Sequence, residues 1–141
     1  MRINKNKSAI DRGQSLVEFA VSIFFLLLLI SGIVDLGRVF FTYMDLREAA
    51  QEGAAFGSVY PNYNDRIAKR VKDSSNSIKD ISPNIVIAYD VDPCAGNDIE
   101  VSVRIPDFPI TMPFLGTILG TQTIAIGATA TDRIITPICS P

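Results

Sequence analysis

A chain of 141 residues makes one small domain or less, and its composition argues against several trades at once. There is no histidine, so the commonest general base and metal ligand is missing. The net charge of −2 hides an asymmetry: Arg2, Lys5, Lys7 and Arg12 face a single Asp11 before Gly13, and all but one of the 15 acids follow it, a balance that offers nucleic acid no basic patch.

Met1 to Arg12 is polar and basic. Its positive charge belongs in the cytoplasm, which puts the C-terminal part outside. Phe19 to Val34 then reads FAVSIFFLLLLISGIV, without a charge. With Leu16 and Val17 in front, the apolar stretch is about 19 residues, long enough as a helix to cross roughly 30 Å of hydrocarbon. A secretory signal peptide also begins with a basic region, but a small-x-small cleavage site is expected after the apolar run, and none of the A-x-A kind follows. A signal anchor that is never cut remains the plainer alternative. Glu18 sits inside the first turn of the run. A carboxylate at mid-bilayer costs roughly 2.5 to 3.5 kcal/mol. One turn from the boundary, Glu18 can either reach the headgroups or meet a positive group on another subunit.

The helical pattern does not stop at Val34. Leu36, Val39, Phe40, Tyr43, Met44, Leu46, Ala50 and Ala54 recur at helical spacing, with no proline until Pro61. One helix is expected from about Ser15 to about Gly57, roughly 65 Å long. Residues 14–35 are its membrane part and 36–58 a stalk packed on a soluble domain of residues 59–141. Asp35 and Arg38, three apart, can pair where the helix leaves the membrane, and Gly32 and Gly37 flank that exit as places for a bend. Ala49, Ala50, Gly53, Ala54, Ala55 and Gly57 would let another backbone approach closely.

Tyr60-Pro61-Asn62 ends this helix. Asn64 is placed to cap a second, short helix of about Asp65 to Ser77, with Ile67, Val71 and Ile78 inward and a basic outer face of Arg66, Lys69, Arg70 and Lys72. That face reads as solvated rather than as a lipid contact. Asn84 to Val91 and Ile99 to Ile105 read as strands, the second with Ile99, Val101, Val103 and Ile105 on one side. The turn residues 92–98 between them make a hairpin. Pro106 to Gly120 reads as an irregular loop with one helical turn, and Thr121 to Ile134 as a third strand. The expected fold is α+β: a long N-terminal transmembrane and stalk helix on a small three-stranded antiparallel sheet.

Cys94 lies in the hairpin turn and Cys139 near the C-terminus. Outside the cytoplasm a single disulfide is the natural reading, closing a loop of about 46 residues and contributing roughly 4 kcal/mol at most. No residue set carries catalysis. Without histidine nothing activates a serine, and no Gly-rich phosphate loop is present. Asp90, Asp92, Asn97 and Asp98 supply oxygen ligands, but their spacing matches no calcium loop. The chain is read as a non-enzyme with no cofactor and no metal.

The stretch Arg12-Gly13-Gln14-Ser15-Leu16-Val17-Glu18-Phe19 resembles the processing site of prepilins and pseudopilins of the type IV filament superfamily. The longer run to Gly57, with its DLGR and AAQEGAA tracts, is similar to TadE-like proteins of tight-adherence (Flp, type IVc) pilus systems. The resemblance covers about the first 60 residues. It implies a basic leader, residues 1–13, cut by a prepilin peptidase between Gly13 and Gln14. It also implies that Glu18, the fifth mature residue, and Phe19 act in assembly. Gln14 and Ser15 depart from the small or aromatic residues common at that point. The implied function is a minor pilin or pseudopilin that enters, primes or tips such a pilus, working in cell adhesion. Its partners would be the peptidase, other pilin subunits, the assembly platform and the lipid bilayer, and not nucleic acid. It would sit in the cell membrane, single-pass, with its N-terminus cytoplasmic and its domain outside. The alternative is an uncleaved bitopic protein with a small binding or scaffold domain.

Overall fold

The computed structural model describes residues 7–74, 82–113 and 115–137. In chain order they form α1 (Lys7–Val59), α2 (Asn64–Ser74), β1 (Asn84–Tyr89), β2 (Asp98–Pro109), α3 (Leu115–Leu119) and β3 (Thr123–Arg133). The architecture is the α+β one read from the sequence: a long apolar N-terminal helix and a three-stranded antiparallel sheet in the order β1-β2-β3.

Helix α1 has 53 residues, about 80 Å at 1.5 Å per residue. It begins ahead of the expected Ser15 and runs unbroken through Gly13, Gly32 and Gly37. Its C-terminal third carries the core. Leu46, Ala49, Ala50 and Ala54 are at most 2% exposed, against Ile67 and Val71 of α2 and Ile99, Val101 and Val103 of β2, all at 0%. The close approach depends on two glycines. A Cβ at Gly53 would overlap Val71 Cγ2 and lie 3.2 Å from Val101 Cγ1; at Gly57 it would overlap Ile99 Cδ1. The small-residue tract therefore serves the chain's own sheet and second helix.

Helix α2 is amphipathic, burying Ile67 and Val71. Its expected cap is different in detail. The Tyr63 carbonyl accepts from the Arg66 and Ile67 amides at 2.9 and 3.0 Å, while Asn64 Oδ1 lies 2.6 Å from the Tyr89 hydroxyl. Two of its basic residues are engaged: Arg70 Nε meets Glu52 Oε1 of α1 at 2.7 Å, and the Arg66 guanidinium lies 4.7 Å from the Tyr63 ring centre. The expected continuation to Ser77 and the inward Ile78 lie outside the described residues.

Strand β2 is the sheet's centre, paired with β1 from Ile99 to Arg104 and with β3 from Asp98 to Pro109. It does not end at Ile105, where proline was expected to stop it. Beyond Arg104 only β3 pairs with it among the described residues, so Pro106 and Pro109 lie past the end of β1, where a missing N–H is tolerated. The register shifts between Ile105 and Phe108. Two residues of β2 there oppose one of β3, a bulge that turns Phe108 instead of Asp107 toward the core, and Phe108 is 5% exposed.

The segment after β3 is docked on the rest of the domain. The Ile135 amide donates to the Ser58 carbonyl (2.9 Å) and the Thr136 hydroxyl to the Val59 carbonyl (2.7 Å), satisfying two carbonyls that the end of α1 leaves open. The amides of Ala95 and Gly96 donate to the carbonyls of Pro137 and Ile134, which joins the segment to the β1–β2 turn.

Candidate functional site

From Gly13 to Val34 α1 touches almost nothing of its own chain. Leu16, Val17, Phe19, Phe25, Leu27, Leu29 and Ile33 are each at least 60% exposed, and only Leu28, Ser31 and Gly32 are partly covered. A helix apolar on every side needs an apolar surrounding. Among the described residues this is the one helix long and apolar enough to cross a membrane. Gly13, Gln14, Glu18 and Phe19 are all exposed on it. The Ser22 hydroxyl donates to the Glu18 carbonyl at 2.8 Å, so Ser22 hides its polar group within the helix and the Glu18 carboxylate is the one charge in this stretch.

Three residues apart on α1, Arg38 Nη1 and Asp35 Oδ1 lie within 3.3 Å of each other. Asp35 has further partners that sequence reading missed. The Thr111 hydroxyl donates to Asp35 Oδ1 (2.5 Å) and the Met112 amide to Asp35 Oδ2 (2.6 Å). Asp35 is consequently 5% exposed. The Arg38 guanidinium lies 5.3 Å from the Phe108 ring centre. The exit pair is thus a joint between α1 and the segment after β2. No motif announces Thr111 and Met112, since a hydroxyl and a backbone amide carry no spacing signal.

Past the exit the apolar positions of α1 divide. Val39 is half-buried and Leu46, Ala50 and Ala54 are buried, but Leu36, Phe40, Tyr43 and Met44 are 42 to 70% exposed, and Phe41 71%. The stalk stripe expected to pack wholly on its own domain packs with only one side. At 100° per residue, Leu36, Phe40 and Met44 turn away from the face that holds Asp35, Val39 and Leu46.

In the turn residues 92–97, Asn97 Nδ2 donates to the Asp92 carbonyl at 3.0 Å; among the described residues no group of three acidic, Cys or His side chains could hold a metal. Cys94 is disulfide-bonded; its expected partner Cys139 lies outside the described residues.

A free-standing apolar helix with a small α+β domain at one end is the build of a single-pass, membrane-anchored protein. Residues 13–55 match the family described as TadE-like protein, which bears out the resemblance read from the sequence over α1. The likeness is confined to the helix and does not extend to the sheet domain. No curated protein and no solved structure matches the chain.

Proposed function

We propose that this chain is a minor pilin or pseudopilin of a tight-adherence (type IVc) pilus, working by helix assembly and not by catalysis. The observation that carries the reading is the length of its exposed apolar surface. The apolar stretch from Leu16 to Val34 already spans the roughly 30 Å of a bilayer. The exposed residues Leu36, Phe40, Phe41, Tyr43 and Met44 extend it by about ten residues, or roughly 15 Å. Lipid has no use for that extension, whereas a bundle of like helices would cover it.

In this reading residues 14–35 lie in the membrane with the domain outside, and a prepilin peptidase cuts between Gly13 and Gln14. The cut removes most of the leader charge and frees an α-amino group on Gln14. That ammonium, on one subunit, pairs with Glu18 of the next, so that neither charge stands alone in an apolar setting. Phe19 beside it packs against the neighbouring helix. The assembly platform and the other pilins are the partners, and the bilayer is the store from which subunits are drawn.

One experiment on the Glu18→Ala variant and the parent tests this. In cells with the peptidase, mass spectrometry of the parent should find Gln14 as the N-terminus. Glu18→Ala should stay in the membrane fraction, and pili recovered from those cells should fall at least tenfold, the scale of about 1.4 kcal/mol lost per docking step. An uncut parent with unchanged piliation in Glu18→Ala would overturn the reading and favour an uncleaved bitopic scaffold.

A further inference from the structure

We propose that the segment from Ile110 to Gln122 is a lipid-contacting element that lies in the outer interface of the bilayer beside α1, with Ile118 directed at the acyl chains. The proposal rests on the membrane-spanning reading of α1.

Four observations converge on it. The first is depth. The apolar stretch that starts at Leu16 ends at Val34, and about 19 residues at 1.5 Å each place that end at the outer limit of the hydrocarbon. The segment is attached at this level. Thr111 and Met112 donate to Asp35, and Met112 Sδ packs on Gly32, 3.8 Å from where a Cβ would stand. Gly32 lies two residues inside that end, so the segment reaches the apolar boundary itself. The partly covered Leu28, Gly32 and Val39 and the buried Asp35 follow a 3–4 residue spacing and so form one face of α1.

The second is charge. From Phe108 to Thr131 there is no Asp, Glu, Lys or Arg. A connection on a water-exposed surface is ordinarily polar, whereas each charge near the hydrocarbon is costly. The third is Ile118. At 79% it is the most exposed of the large apolar side chains described in this protein. It sits on α3 beside the small Gly116 and Thr117, where interfacial lipid would cover it.

The fourth is internal satisfaction. Backbone that enters an apolar region must meet its hydrogen bonds within the protein. Gln122 does this for the segment. Its Nε2 donates to the carbonyls of Ile110 (2.8 Å) and Met112 (2.9 Å), and its Oε1 accepts from the Gly116 amide (2.9 Å). The Ile110 amide donates to the Gln122 carbonyl, and the Gly120 amide closes α3 on the Gly116 carbonyl. Gly120 has φ +76°, a conformation glycine adopts without a Cβ penalty. The side chain of one uncharged residue thus does the work that water does for an exposed loop.

The chain has no tryptophan, so single Trp variants report depth without background. The full chain carrying Ile118→Trp, Phe24→Trp or Val86→Trp is reconstituted in phosphatidylcholine vesicles whose acyl chains are brominated near the headgroup or near the chain end. Fluorescence of the Ile118→Trp variant should be blue-shifted and quenched more by the headgroup-proximal bromines. Phe24→Trp should be quenched by the chain-end bromines, and Val86→Trp, on the open sheet face, by neither. Adding Asp35→Ala to Ile118→Trp should weaken the quenching, because the attachment to α1 is lost. If Ile118→Trp behaves like Val86→Trp while Phe24→Trp is quenched, the proposal falls and the membrane reading stands. A blue shift without quenching would mean that protein covers position 118, which also overturns a lipid contact. If Phe24→Trp is not quenched either, the membrane reading falls with it.

Discussion

Tyr89 shows how a single side chain joins three elements. It stands at the end of β1, and its hydroxyl donates to the Pro61 carbonyl (2.5 Å) at the α1–α2 turn and lies 2.6 Å from Asn64 Oδ1 at the start of α2. Burial pushes its phenol above the ordinary value of 10.0, because the phenolate would lose water and gain no cation. The folded state therefore holds the proton more tightly than the unfolded chain. The associated stability is fully present below pH 10 and is lost as pH rises through the folded-state value. Tyr89→Phe should lower stability at pH 7 by about 1 kcal/mol, the net worth of such a bond. It should also flatten the fall in stability above pH 10, as read by denaturant titration across pH. Glu18 and Asp35 belong to the same scale but answer different needs. Asp35 finds its donors within the chain, whereas the partner proposed for Glu18, the Gln14 ammonium, belongs to another subunit.

Among the elements, α1 carries two environments on one helix. Its first part is apolar all round; its last part presents small residues to the sheet and α2. Gly53 marks the contrast. Alanine would gain up to about 1 kcal/mol of helix propensity, yet its methyl would meet the stiff Val71 and the wall of β2, and overpacking costs typically 1 to 3 kcal/mol. Gly53→Ala should therefore lower the melting temperature of the domain, whereas Gly37→Ala, with open space at the added Cβ, should not. Equal effects in calorimetry would contradict the close packing described. The alternation of Ile99, Val101, Val103 and Ile105 was legible as one buried face because strand periodicity is local. The extension of β2 through Pro106 and Pro109 was not, since a proline is excluded or tolerated according to whether a neighbouring strand needs its N–H, and that is decided by where β1 begins.

For the whole molecule, the docked segment after β3 makes the expected disulfide a matter of short reach. Pro137 accepts from the Ala95 amide, next to Cys94 and two residues before Cys139, and we propose the Cys94–Cys139 pairing on that ground. Cys94→Ser should cost up to about 4 kcal/mol, chiefly by freeing the unfolded chain. The loss should be matched by reduction of the parent and absent between reduced parent and variant. An unchanged denaturation midpoint would dismiss the bridge as a stabiliser.

What the amino-acid sequence determined by itself was whatever depends on neighbours along the chain: the long apolar helix, the charge step at Gly13, the alternating strand and the resemblance carried by residues 12–57. Each is a periodicity or a run, and hydrophobic burial reads these directly. Only the tertiary structure decided which face of the stalk stays open, that Asp35 is shared with Thr111 and Met112 some 76 residues away, and that Gln122 closes the segment beside Asp35. Those contacts bring together groups distant in sequence, and hydrogen bonds to a hydroxyl or a backbone amide leave no pattern in residue type. They exist because the sheet's register and the two helix glycines set how closely the domain lies along α1.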